Sequence, residues 1–141
     1  MIPAGLFLAD TSAIARVRLP AVEAELRRLG REGLLARCVT IDLEVLYSAR
    51  SPSDHATIAA ARSEGLIDLP LREAIGRRAA AVQARMAVTS QHRAAGVVDL
   101  LTAAIAEHYG ATVLHYDADF EAIAAVTAQP TRWVVPRGSV P

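Results

Sequence analysis

The sequence contains no lysine; all 15 of its basic residues are arginine. That absence excludes Schiff-base catalysis on a lysine amine and a phosphate-binding loop closed by lysine. Cysteine is nearly absent too. The single Cys38 cannot form an internal disulfide, so a cytoplasmic setting is expected. Its apolar neighbours mark it as a small core residue rather than a reactive thiol. No uninterrupted apolar run approaches the ~18–20 residues that span a bilayer, and the N-terminus lacks the basic region of a signal peptide. No membrane partner is expected. There is also no excess charge, with 15 basic against 15 acidic residues. This removes the simple case for a protein that coats nucleic acid, but not for a local basic groove.

What is present is a chain of 141 residues, 52% of them hydrophobic, which is enough for one domain over 1–141 with a substantial core. No repeat, low-complexity segment or internal linker interrupts it. Leu6 to Ala9 reads as a buried strand. Val22, Leu26 and Leu29 follow at helical spacing, with Gly30 and Gly33 as stop signals. Ala36 to Val39 is a second strand candidate, and Thr40 is placed to cap a helix running to about Ser48. Ser53 or Asp54 is placed to cap the next helix after the turn at Pro52. Leu66 to Leu69 is a short strand. Leu71, Ile75, Val82 and Met86 share one face of a long helix. A polar connection, Gln91 to Gly96, leads to an apolar helix opened by Asp99 and stopped by Gly110. Thr112 to Tyr116 is a strand, Phe120 and Ile123 indicate a short helix, and Trp133 to Val135 is a last strand. Alternating strands and helices predict an α/β fold in three layers, a central parallel sheet flanked by helices. Several strands are continuous apolar runs, as strands covered on both faces require.

Acidic residues break these apolar runs. Asp10 ends Gly5 to Ala9, Glu44 lies within Thr40 to Leu46, Asp99 interrupts Gly96 to Leu101, and Asp117 follows Ala111 to Tyr116 with Asp119 just beyond. A carboxylate in apolar surroundings is costly unless it is paired or metal-bound. Ligands in such folds collect beyond the carboxyl ends of the strands. Asp10 and Asp117 follow strands directly, and Glu44 and Asp99 lie on helices that can face the same end. An all-oxygen set suits Mg²⁺ or Mn²⁺. A metal so placed activates water and stabilises charge on a phosphoryl group, so metal-assisted phosphodiester hydrolysis is a coherent reaction. Taken singly, each acid has a plainer reading: Asp10 as a turn residue, Glu44 as an exposed helix residue, Asp99 as an N-cap. Their order and contexts together are more specific.

Four segments carry a resemblance: Leu8-Ala9-Asp10-Thr11-Ser12-Ala13, Thr40-Ile41-Asp42-Leu43-Glu44, Val98-Asp99-Leu100-Leu101-Thr102-Ala103-Ala104-Ile105-Ala106, and Val113-Leu114-His115-Tyr116-Asp117-Ala118-Asp119-Phe120. With them the chain resembles a PIN-domain protein, specifically a VapC-type toxin ribonuclease of a bacterial toxin–antitoxin pair. The resemblance implies a PIN-like fold and a Mg²⁺- or Mn²⁺-dependent endoribonuclease. It implies Asp10 and Asp99 as direct metal ligands, with Glu44 completing the site and holding water. Asp117 falls at the fourth acidic position, a role Asp119 could share or take. Thr11 or Ser12 would orient Asp10 or a metal-bound water. A homodimer, an RNA substrate and a small antitoxin that covers the groove and offers an arginine to the acids are implied as well.

Residues outside the four acids are read more plainly. Asp42 points away from Glu44 on a helix, toward solvent or an arginine rather than a metal. His92 and Arg93, before Asp99, and Arg50, after the Glu44 helix, are either solvated or in contact with RNA phosphate. His115 reads as a packed histidine rather than a general acid, and His55 and His108 as surface residues. Arg77, Arg78 and Arg85 belong to a solvated helix face. Arg132 is assigned to structural packing, with stacking on Trp133 or on a base as the alternatives. Two other functions fit small α/β chains: a phosphorylation-controlled receiver-like module, and a catalytically silent metal- or RNA-binding domain. The first normally relies on a lysine that this chain lacks. The second sits poorly with four occupied acidic positions.

Overall fold

The short apolar runs become buried parallel strands. The computed structural model describes residues 1–141. Strands β1 (Phe7–Ala9), β2 (Leu35–Arg37), β3 (Ile67–Asp68), β4 (Thr112–His115) and β5 (Thr131–Trp133) form one sheet in the order β3-β2-β1-β4-β5, and every pair is parallel. Seven helices flank it: α1 (Thr11–Ile14), α2 (Pro20–Arg31), α3 (Val39–Tyr47), α4 (Pro52–Ser63), α5 (Glu73–Ala87), α6 (Val97–Tyr109) and α7 (Asp119–Thr127).

Side chains on a strand alternate between faces even where every residue is apolar. Leu8, Ala36 and Val113 enter the larger core with Ile75, Val82 and Met86 of α5, Leu100 and Ile105 of α6, and Phe120 and Ile123 of α7. Their strand neighbours Ala9, Leu35 and Leu114 enter the opposite core with Val22 and Leu29 of α2. Both faces are therefore covered, which explains why these strands lack polar alternation. Each fully buried Leu or Ile contributes roughly 1.5–3 kcal/mol, so α6, with Leu100 and Ile105 buried, is firmly seated.

The strand order places the site. From β1 the chain lays β2 and β3 on one side, then returns to lay β4 on the other side of β1. The direction reverses between β1 and β4, and a crevice opens at such a point. Asp10 and Asp117 emerge from the ends of these two neighbouring strands. The Asp10 N–H bonds the Leu114 carbonyl at 2.9 Å, so the pairing continues to the edge of the crevice. A receiver-type sheet runs 2-1-3-4-5, and the order here is different.

Several boundaries differ from expectation, each for a local reason. The N-cap of α3 is Cys38, not Thr40, because extended backbone ends at Cys38 and Val39 is already helical. The N-cap of α4 is Ser51, not Ser53 or Asp54. Its hydroxyl accepts the Asp54 N–H at 3.0 Å, and Pro52 takes the first helical position, where its fixed φ is favourable and a missing N–H costs nothing. Asp99 is not the cap of α6 but its third residue, behind Gly96. The last strand is Thr131–Trp133 rather than Trp133 to Val135, since it pairs with β4 from Val113 to His115. The one-turn helix α1 has no apolar repeat to announce it.

Candidate active site

Asp10 is the most buried acid, only 3% exposed. It caps α1, and its Oδ2 accepts the Ser12 N–H at 2.9 Å and the Ser12 hydroxyl at 2.6 Å. The Ser12 hydroxyl in turn accepts the Tyr116 N–H at 2.9 Å, tying the ends of β1 and β4 together through one side chain. Asp10 Oδ1 is buried and has no hydrogen-bond partner in the protein. A buried carboxylate oxygen left bare is costly, and the side chain's orientation is already fixed by Ser12.

Asp99 comes to the crevice from the first turn of α6. Its Oδ2 meets the Gly96 N–H at a long 3.4 Å. Burial, and then the charge of Asp10, push its carboxyl up to about 6 from the usual 3.8; Asp117 and Asp119 add smaller pushes, and the Gly96 bond pulls the other way. Asp117 and Asp119 sit at the turn between β4 and α7. Asp117 Oδ1 accepts the Asp119 N–H at 2.9 Å, and Asp119 is raised by burial and by Asp117. Carboxylate oxygens of Asp99, Asp117 and Asp119 all lie within 4.8 Å of one another. Asp117 and Asp119 therefore both reach Asp99. Glu44, on α3, accepts a hydrogen bond from the Thr11 hydroxyl, which links that helix to the residue after Asp10. Of the acids singled out in the sequence, Asp10, Asp99, Asp117 and Asp119 interact electrostatically as one group, and Glu44 joins through Thr11.

No arginine neutralises this group. Every ion pair in the chain involves other acids. Asp42, two residues from Glu44, is by contrast held by Arg37 Nη1 at 2.6 Å and Arg62 Nε at 2.5 Å. The donor set of the crevice is oxygen only, carries unneutralised negative charge and includes an orphaned buried oxygen. Those are the properties a hard divalent cation complements.

The family model for the PIN domain matches residues 7–126. This chain is a PIN-domain protein. Among its relatives, ribonuclease VapC21 of Mycobacterium tuberculosis is 44% identical over 133 residues, covering 94% of this chain and 96% of the relative. Ribonuclease VapC51 of the same organism is 44% identical over 135 residues, covering 95% and 96%. Solved structures share the PIN protein's fold at low identity. DNA-bound VapBC from Salmonella typhimurium aligns with a TM-score of 0.76 at 16% identity, covering 93% of this chain and 99% of that one. VapBC2 from Rickettsia felis, bound to a promoter fragment, aligns at 0.75 and 13%, covering 90% and 97%.

Around the acids of the PIN protein the remaining candidates divide. His92, Arg93 and Arg50 are exposed and outside the carboxylate group. Arg50 shares an open groove of about 430 Å³ with Arg18, Ser48, Asp54 and Ile58. Arg18 was not legible as a candidate, because only the fold brings the end of α1 beside the end of α3. His115 is fully buried at the end of β4, with its pKa lowered chiefly by burial. Arg132 packs within the protein, as expected, and not on Trp133. Its guanidinium lies 4.5 Å over the Phe7 ring and pairs with Glu25 at 2.5 Å. Arg137 is the residue that lies over Trp133, at 5.4 Å. Cys38 is buried, and burial raises its thiol pKa. No helix is long and apolar enough to cross a membrane.

Proposed function

We propose that this PIN-domain protein is a divalent-metal-dependent endoribonuclease, the toxin of a VapBC-type toxin–antitoxin pair acting in the cytoplasm. The observation that carries this reading is the convergence of Asp99, Asp117 and Asp119 with no arginine among them; the charge of Asp10, whose Oδ1 has no partner, acts on Asp99. Relatives named as ribonucleases at 44% identity support the reaction class.

Asp10 Oδ1 and Asp99 would hold Mg²⁺ or Mn²⁺ directly, with Asp117 and Asp119 completing the oxygen set. Once bound, such an ion supplies a lowered pKa for water and charge stabilisation at the phosphoryl group. Ser12 fixes the Asp10 carboxylate, leaving Oδ1 free. Thr11 fixes Glu44, whose second oxygen can orient a water for attack on phosphorus. Arg50 with Arg18 on one side, and His92 and Arg93 on another, would contact RNA phosphates. Beside Glu44 lies an open groove of about 410 Å³ lined by Thr40, Leu43, Tyr47 and Val98. Leu43 is 63% and Tyr47 92% exposed. Apolar side chains so exposed mark a docking surface, suited to the antitoxin segment whose arginine would neutralise the acids. A homodimer belongs to the same reading.

Induced expression should arrest growth. Asp10→Ala and co-expression of the antitoxin should each restore it, and purified protein should cleave RNA with Mg²⁺ or Mn²⁺ but not with EDTA. RNA binding without cleavage across many substrates would instead identify a silent domain.

A further inference from the structure

We infer that His115 is a positioning residue for the metal site: its Nδ1 holds the Asp117 main chain and thereby sets the Asp117–Asp119 pair opposite Asp99. The inference rests on the metal reading proposed above. His115 ends β4 with no exposed surface. Its Nδ1 accepts the Asp117 N–H at 3.1 Å, so the ring is neutral and carries its proton on Nε2. The ring cannot swing away. It lies 5.1 Å from the Phe120 ring and 4.9 Å from the Trp133 ring, and the His115 carbonyl is pinned by the Val134 N–H at 2.8 Å.

Two bonds then run in series. His115 Nδ1 fixes the Asp117 backbone, and Asp117 Oδ1 fixes the Asp119 backbone at the start of α7. Together they turn the chain by a defined path from strand to helix and bring both carboxylates within 4.8 Å of Asp99. Nε2 has no partner and is buried, so Nδ1 is the one nitrogen of this ring that contacts the site.

Two substitutions separate positioning from packing. His115→Phe keeps an aromatic ring but offers no acceptor. His115→Asn loses the ring but presents Oδ1 near the place of Nδ1. Mn²⁺ binding to the full chain, followed by electron paramagnetic resonance, is read beside thermal melting. His115→Phe should weaken Mn²⁺ binding by roughly 10–100-fold, as loss of a supporting hydrogen bond around a metal site does, while His115→Asn stays within about threefold of wild type despite a lower melting temperature. The inference is overturned if His115→Phe binds Mn²⁺ as wild type does, or if His115→Asn loses as much as His115→Phe. If one variant does not fold, the other decides. A wild-type protein that binds no Mn²⁺ would overturn the metal reading itself, and this inference with it.

Discussion

Helix α3 carries two acids, two residues apart, with opposite fates. Asp42 is enclosed by Arg37 from the end of β2 and Arg62 from α4. Glu44 has no arginine partner and accepts instead from the Thr11 hydroxyl, next to Asp10; Asp10, Asp99, Asp117 and Asp119 have no arginine partner either. The chain has cations to spare: Arg18, Arg50 and Arg93 form no ion pair. The difference is one of placement. Asp42 receives its counter-charge from the fold and fastens α3 to the sheet and to α4. The crevice acids are left for a counter-charge from outside.

Substitutions should separate the two clusters, the largest effect coming first. Asp10→Asn or Asp99→Asn should reduce RNA cleavage by roughly 10²–10³-fold or more, measured with Mn²⁺ on a labelled RNA, because a ligand and its charge are lost together. Asp42→Asn should leave the acids intact but strip two partly buried guanidinium groups of their partner. A loss of about 2–3 kcal/mol in unfolding free energy by urea titration is expected. Asp99→Asn should act in the opposite direction on the metal-free protein and stabilise it by about 1 kcal/mol, since it removes repulsion that solvent only partly screens.

The same asymmetry has a pH signature. The Asp99 carboxyl titrates near 6 in the folded chain against an ordinary 3.8, so the folded state binds this proton more tightly than the unfolded one. The metal-free protein should therefore lose stability through this group as pH rises from about 4 to about 6, and its Mn²⁺ affinity should rise as pH passes 6. Melting curves across that range should show the slope in wild type and a shallower one in Asp99→Asn, where the raised Asp119 still contributes. The smallest effect lies away from both clusters. Ala128 closes α7 with φ of 60°, a left-handed conformation that costs a side chain about 1 kcal/mol. Ala128→Gly should raise the melting temperature slightly while leaving Mn²⁺ binding unchanged.

Much of this was legible in the sequence. A carboxylate that interrupts an apolar run stands out, and strand-then-acid placed Asp10 and Asp117 at one end of a parallel sheet. The partners of Asp42 were foreseen only as a type, because Arg62 comes from a separate helix. The grouping of Asp117 and Asp119 with Asp99 depends on the turn held by His115, and no spacing rule encodes an imidazole bonding to the main chain two residues on. Helix α1 was missed because one turn is too short for periodicity. Arg132 was legible as a packing residue but its partners were not: neighbours on a strand point to opposite faces, so Phe7 and Glu25, not Trp133, receive it.

The strand order carries a consequence for synthesis. The first acid leaves the ribosome early, but the strand that pairs beside it does not, and the Tyr116–Ser12 bond closes across 104 positions. An incomplete chain can form β1, β2 and β3 while lacking Asp99, Asp117 and the whole far wall of the crevice. On the proposed reading, the acids that would cut RNA are assembled only when the last third of the polypeptide folds back, so an unfinished copy would carry no working set of them.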